Sequence, residues 1–430
     1  MTKESLGDKK EPNGFSRFVL FQVFIIGILW LADTFFYFFE QNIFNTYITN
    51  VLKLSDLYVT LMVGLSAAVG LIMNFSWGII SDNTRSKFGR RRPFLLFSIA
   101  AGLGMILAAL SDNYLLLVIF DVVVIGITAN AVSVAGRTLI PDAVEIEKRG
   151  RANGIVQAIS YIGLIFGLVI FLMFQGDLGS TNKSIVLNTH ILVLTIAGIV
   201  YIISGIIGFA LIREKPASEL PPRKKFSTEL KELVDLSLLK SQKNFFKVIL
   251  ATLVYQTGIG CIMAFLFPLL TSTTFPFGTV DLLIAIAIGF VFLILSVIFL
   301  GKLADKYGRK RFLPIIILLI GIALMFIPFS IYTANLILFI VVTPFLLIGL
   351  LGLNTIINTW AQDTLPEGKK GQFYGIFNIT LTIPQIIGAI VGGFVSVTFG
   401  RPYIFIAGAI FFLISIPLFL IVKETLKIEK

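Results

Sequence analysis

Between residues 33 and 45, Asp33, Tyr37, Gln41 and Asn45 recur every four residues, with Glu40 beside them. On a helix this spacing lines the side chains along one slowly drifting face, and the residues around them are apolar enough to cross a membrane. Charged groups in lipid are costly and mark functional positions. A carboxylate such as Asp33 accepts two hydrogen bonds from the hydroxyls of a polar ligand, and charge-assisted bonds are the strong kind. It can equally carry a proton, because burial disfavours the charged form of a carboxylate. Glu40 is the neighbouring candidate for the proton. The plain structural alternative is a buried aspartate satisfied by polar groups of adjacent helices.

Uncharged polar residues recur in other apolar runs: Asn74 in the second, Asn130 and Ser133 in the fourth, and Asn153, Gln157 and Tyr161 in the fifth. Later in the chain they are Tyr255 and Gln256, then Asn354 and Asn358, then Asn378, Thr382 and Gln385. Amides and phenols offer the directed donors and acceptors that a neutral polyhydroxylated ligand needs, although each also suits interhelical hydrogen bonding. Trp30, Trp77 and Trp360 offer aromatic faces for a sugar ring or anchors at the lipid interface. Asp121 is a further proton candidate, ranked below Asp33. At 100° per residue it shares a face with Thr128, while Asn130, Ser133 and Arg137 fall nearly opposite. Asp112, Asp177 and Asp281 fall at outer helix ends and are expected to be solvated.

The elements that must position these groups follow from composition. Hydrophobic residues make up 57% and charged residues 14% of the 430, with a mean hydropathy of +0.94, against a charged fraction of about 25% in soluble domains. Apolar runs long enough to span about 30 Å as helices fall at 18–48, 57–81, 93–111, 114–137, 153–175, 189–212, 247–270, 280–301, 312–330, 335–360, 372–398 and 402–422. If these twelve spans alternate in direction, all of the 35 lysines and arginines except Lys53, Lys183 and Arg401 lie on one side. Cytoplasmic loops retain such residues, so both termini are expected to be cytoplasmic in a cell-membrane protein. The net charge of +11 then reflects topology and attraction to anionic lipid. No basic folded domain exists to aim it at nucleic acid. Residues 1–17 are polar, so no cleavable signal is expected ahead of the first span. The lone Cys261 excludes an internal disulfide, and with the lone His190 it leaves no cluster for a metal.

The longest polar stretch separates six spans from six, dividing the chain into a tail (1–17), a first bundle (18–212), a linker (213–246), a second bundle (247–422) and a tail (423–430). Leu230, Leu233, Val234 and Leu238 recur at helical spacing in the linker, as in a helix lying on a membrane surface. The halves repeat. Gly78, Asp82, Gly89, Arg90 and Arg91 in the loop after the second span have a shorter echo at Gly301, Asp305, Gly308, Arg309 and Lys310. The loop running from Leu139 to Gly154 is similarly echoed from Leu365 to Gly375. Parallel six-helix repeats with a substrate site at their midplane interface are a transporter architecture.

These two loop motifs resemble the inner-loop signature of the major facilitator superfamily. The resemblance covers nearly the whole chain and implies an all-α membrane fold of twelve helices in two pseudo-symmetric six-helix bundles. The first copy is extended by Asn83 to Phe88 and ends in Arg90-Arg91-Arg92-Pro93, a form similar to the glycoside-pentoside-hexuronide:cation symporters and, closer still, to their sucrose–proton symporter branch. In the superfamily such contacts close the inner side. The inner gate is therefore expected at Gly78, Asp82, Arg85, Gly89, Arg90, Arg91, Arg137, Gly301, Asp305, Gly308 and Arg309. Gly78 would permit close helix approach, and Asp82 would sit at a helix N-terminus or pair with Arg137. Asp33 falls where melibiose-type symporters carry a sugar-binding aspartate. The sequence also departs from these relatives. Gly70 and Asn74 stand at the melibiose-type sodium aspartates, Gly126 at the sucrose-branch aspartate, and Gln157 or Ala158 at the sugar-binding arginine, so sodium coordination of that kind is not expected.

The expectation is a secondary transporter, working as a monomer by alternating access on a small solute, a sugar or glycoside. Protons would couple through Asp33, Glu40 or Asp121, with no cofactor. The rivals are an uncoupled uniporter, a carrier of another small organic solute, and a non-transporting scaffold or sensor. An enzyme reading has no nucleophile elbow, His/Cys cluster or phosphate-binding loop to rest on.

Overall fold

A computed structural model describes residues 15–145, 148–214, 242–364 and 370–424. The linker helix expected around Leu230 to Leu238 falls outside them. Among the described residues twelve helices are long and apolar enough to cross a membrane. The first six are α1 (Arg17–Val51), α2 (Asp56–Asn83), α3 (Arg92–Ala109), α4 (Tyr114–Ile140), α5 (Arg151–Leu178) and α6 (Lys183–Leu211). The second six are α7 (Lys243–Leu270), α8 (Thr279–Ser296), α9 (Arg309–Tyr332), α10 (Leu336–Ala361), α11 (Ile379–Phe399) and α12 (Arg401–Leu420). Helical structure continues past α8 to Tyr307 and begins at Lys370 ahead of α11. Inside lipid no water satisfies the backbone, so each span must complete its own hydrogen bonds.

Helix packing bears out the repeat. Within the first six helices α1 lies along α5 and α6, α3 along α6, and α2 along α4. Within the second six the same pairs recur six places on: α7 with α11 and α12, α9 with α12, and α8 with α10. Small residues set the closest approaches. A Cβ on Gly163 would overlap the Leu31 carbonyl and one on Gly167 the Phe38 ring, closing α5 on α1. Gly388 and Gly392 do the same for α11 on α7, where an added Cβ would meet the backbone of Thr257 and Cys261.

The end that carries the basic loops is called the basic face below, and the opposite end the far face. Side-chain hydrogen bonds join the two bundles at their far ends: Asn45 to the Ala264 carbonyl (3.0 Å), Asn50 to Thr271 (2.9 Å), Thr60 to the Ala389 carbonyl (3.1 Å) and Gln175 to the Leu270 carbonyl (2.6 Å). An added Cβ on Gly179 would strike Thr271, and one on Gly393 would strike Thr60. Toward the basic face Gly78, Gly136 and Gly154 would each meet nothing within 4 Å. The described contacts between the bundles therefore close them on each other at the far face.

Among the described residues three helices contain π turns, at Tyr47–Val51 in α1, Ile119–Ile125 in α4 and Ile348–Gly352 in α10. A π turn takes up an extra residue and resets the face presented by everything beyond it. The turn in α4 brings Asp121 to the site.

Candidate functional site: two carboxyl stations on the first helix

Asp33 is half-buried near the middle of α1. Its Oδ1 accepts from the Tyr201 hydroxyl of α6 (3.1 Å) and its Oδ2 from Ser133 of α4 (3.2 Å). Tyr201 is itself fixed, its ring stacked on Phe36 at 4.1 Å between centroids. One turn beyond Ser133, Arg137 lies close enough for its charge to act on Asp33. Asp33, Arg137, Trp30, Ser133 and Gly136 line one recess together with Leu29, Leu95 and Val132. The Trp30 indole donates to the Gly136 carbonyl at 3.4 Å, holding its ring at the rim. The recess thus offers one anion, one cation and an aromatic edge.

Two helical turns along α1, about 10 Å toward the far face, stands the second station. The Glu40 carboxyl lies beside that of Asp121, close enough for the two groups to act on each other. Ser66 of α2 donates to Asp121 Oδ2. Asp121 is 2% exposed. One oxygen of each acid, Glu40 Oε2 and Asp121 Oδ1, is buried with no donor among the described residues. An ionised carboxylate has no hydrogen to give, so a bond between these two acids requires a proton on one of them.

Placing Asp121 beside Glu40 corrects the helical-wheel expectation that set it on the face opposite Ser133. Twelve residues of regular helix would separate Asp121 and Ser133 by about 120°, whereas one residue absorbed in the π turn leaves about 20°. Both side chains consequently reach α1.

The remaining expected ligand groups divide. Gln41 and Gln385 are exposed, and Tyr37 and Gln157 are half-buried. Tyr37 stands edge-on to Phe36, and Tyr161 is 56% exposed. Asn130 accepts from Asn74 (2.8 Å), tying α4 to α2. Gln256 donates to Asn354 (2.7 Å), tying α7 to α10. Asn358 is half-buried and its Oδ1 lacks a partner among the described residues. Two groups are committed elsewhere. Tyr255 is fully buried, stacked on Phe412 at 4.5 Å with its hydroxyl on the Gly349 carbonyl, so it packs the second bundle. Asn45 belongs to the closed far face. The side chains of Asn378, Gly301 and Asp305 fall outside the described residues.

At the basic face the first copy of the motif makes an ion pair within its own bundle. Asp82 pairs with Arg91, and at 3.7 Å with Arg90, rather than with Arg137, which sits at the Asp33 recess. Arg91 also donates to Ser81, and Arg85 to the Asp82 carbonyl at 2.8 Å. Gly78 makes no close approach here, its Cβ position being open. The motif glycines that conformation requires are Gly89 and Gly308, at φ 113° and 85°, three residues before α3 and directly before α9, a backbone region that favours glycine. Each hands over to a helix N-terminus capped by a carboxylate. Glu214 accepts from the backbone N–H of Arg90 (2.9 Å), Arg91 (3.0 Å) and Arg92 (2.6 Å), and Glu424 accepts from Lys310 N–H (2.9 Å). Sequence reasoning missed both glutamates. Their signal is a Glu next to a basic residue directly after the last span of each bundle, where helix N-termini favour negative charge.

A twelve-helix chain with ionisable groups inside its first bundle and a repeated basic-loop motif has the construction of a membrane transporter. The family model of the Major Facilitator Superfamily matches residues 29–389. The chain belongs to the Major Facilitator Superfamily, a family of transporters and not of enzymes, and is a multi-pass membrane protein. It is 26% identical over 399 residues to the uncharacterized MFS-type transporter YqjV of Bacillus subtilis, covering 89% of each chain. It is 21% identical over 371 residues to the proton-coupled antiporter flippase LtaA of Staphylococcus aureus, covering 86% of this chain and 87% of that one. Among solved structures, the D-xylose–proton symporter superposes with a TM-score of 0.68 at 14% identity, covering 94% of this chain and 99% of the other. That likeness is one of fold.

Proposed function

We propose that this chain is a secondary active transporter that moves a small polar solute, a sugar or glycoside, by alternating access, driven by protons. Its basic face is cytoplasmic, in keeping with the distribution of lysine and arginine, and the far face, where the bundles close on each other, is then the outer one. The observation that carries the reading is the pair of stations on α1. Asp33 lines a recess with Arg137 and Trp30, as a hydroxyl-binding site requires. Glu40 and the buried Asp121 stand side by side two turns along α1, two acids between which one proton can be held. Separate groups for solute and proton allow one to be loaded without displacing the other. The proton-coupled LtaA and the D-xylose–proton symporter support the class of substrate and driving ion without fixing either. The extended loop from Asn83 to Phe88 favours the sucrose–proton branch.

Uptake into proteoliposomes of a panel of labelled sugars, with and without an imposed pH gradient, tests the reading. Accumulation of a sugar only under the gradient is the expected result. Sugar uptake indifferent to the gradient would make the protein a uniporter, and no uptake of any sugar would transfer the site to another organic solute.

A further inference from the structure

At the far face Asp56, the first residue of α2, is 6% exposed. Arg401, the first residue of α12, grips it with two parallel bonds, Nη2 to Oδ1 at 2.8 Å and Nε to Oδ2 at 3.0 Å. The third nitrogen of the same guanidinium, Nη1, donates to the Pro268 carbonyl of α7 at 3.0 Å. Ser396 of α11 donates to Asp56 Oδ2. One turn along α2, Thr60 donates to the Ala389 carbonyl of α11 at 3.1 Å. Arg401 is one of only three lysines or arginines assigned to this side of the membrane, and it is spent on a carboxylate of the other bundle. At the basic face the Asp82–Arg91 pair lies instead within one bundle.

We propose that Asp56, Ser396 and Arg401 form a latch that clamps α2 of the first bundle to α7, α11 and α12 of the second. The latch holds the protein open to the basic face and breaks once in every transport cycle. Planar bidentate pairing suits such a device, because it is directional and is lost as a unit when the bundles rotate. Removing one partner leaves a buried charge without compensation. The closed far face then becomes the costly state, and the population moves toward the conformation open on that side. In this role the three residues position the bundles and need not touch the solute.

The proposal rests on the alternating-access reading, and its test needs neither the solute nor a pH gradient. Two reporters are placed in a Cys261→Ala background. Ala264→Cys is buried where Asn45 closes α1 on α7, and Gly154→Cys sits in open space toward the basic face. A charged, membrane-impermeant thiol reagent is applied to right-side-out and inside-out vesicles. In Asp56→Asn or Arg401→Gln, labelling at 264 from the far side should rise at least about tenfold while labelling at 154 falls, because only part of the cost of an orphaned buried charge need fall on the closed state. A rise at both sites would mean general loosening and would overturn the latch, as would parental rates at both. The exchange of charges in Asp56→Arg with Arg401→Asp should return both rates toward the parent. Should the charge-removing variants fail to reach the membrane, Arg401→Lys and Ser396→Ala keep the charges balanced while losing one or more bonds. They should move the two rates in opposite directions by a few-fold, and no movement refutes the proposal. Opposed shifts without uptake of any sugar would leave the latch standing and remove only the substrate assignment.

Discussion

Glu40→Gln is the most direct test of the deeper station. The amide is nearly isosteric with the acid and can donate to Asp121, so the contact with Asp121 is retained and the fold should hold. What it cannot do is take up or release a proton. A single proton carried by the pair would set a stoichiometry of one per cycle. One pH unit is worth about 1.36 kcal/mol, or a tenfold ratio, so a gradient of about two units supports up to about 100-fold accumulation of solute. Glu40→Gln should reduce that ratio to about one. Exchange of labelled for unlabelled solute at equal concentration moves no net proton, and it should persist within a few-fold of the parent. Accumulation and exchange measured on the same proteoliposomes therefore separate a lost coupling group from a damaged transporter. Glu40→Gln that still accumulates solute under the gradient would refute the proton pair. Loss of exchange together with accumulation would mean that Glu40 belongs to the solute site instead.

Asp33→Asn should weaken exchange and accumulation together, through a KM raised by about tenfold or more, since hydrogen bonds to charged groups contribute about 1.5–3 kcal/mol each; an unchanged KM removes Asp33 from the solute site. Tyr201→Phe keeps the ring stacked on Phe36 and deletes one bond to Asp33, so a smaller, several-fold rise in KM is expected in the same assay. Gly89→Ala places a side chain at φ 113° and its Cβ 2.8 Å from the Glu214 carboxyl carbon. A loss of at least about 1–2 kcal/mol should appear as a lower melting temperature in detergent. Gly163→Leu drives a side chain into the Leu31 carbonyl, whereas Gly154→Leu projects into open space. Overpacking costs about 1–3 kcal/mol or more, so only the first should reduce the yield of folded protein.

The twelve spans and the repeat were legible because lipid demands long apolar runs and two copies of one loop survive the duplication. Asp33 was legible for the same reason, as a carboxylate in such a run has few neutral explanations. The partnership of Glu40 with Asp121 was not, because it depends on a π turn that Val122-Val123-Val124-Ile125 does not announce. A regular wheel then puts Asp121 on the wrong side of α4. Nor could the sequence say that Tyr255 packs inside its own bundle while the neighbouring Gln256 reaches Asn354. Consecutive residues point about 100° apart, and which of them meets a neighbour is decided by helix rotation. Asp56 and Arg401 are 345 residues apart and each looks like an ordinary solvated end residue until the bundles are placed side by side.

The two halves repeat in packing but not in charge. Asp33, Glu40, Asp121 and Arg137 all lie within spans of the first bundle, whereas the interiors of α7, α9, α10, α11 and α12 contain no Asp or Glu. Any change of protonation in mid-membrane is thus confined to the first bundle among these helices, and the second meets it with amides such as Gln256 and Asn354. Load and response are divided between partners that must move against each other. Helix α2 is placed to join them, because it carries Ser66, bonded to Asp121, and ten residues earlier Asp56, bonded to Arg401. A change in how Asp121 holds Ser66 acts on the helix that the far-face latch grips. On the proposed reading, coupling would run along one span, α2, without crossing the solute recess.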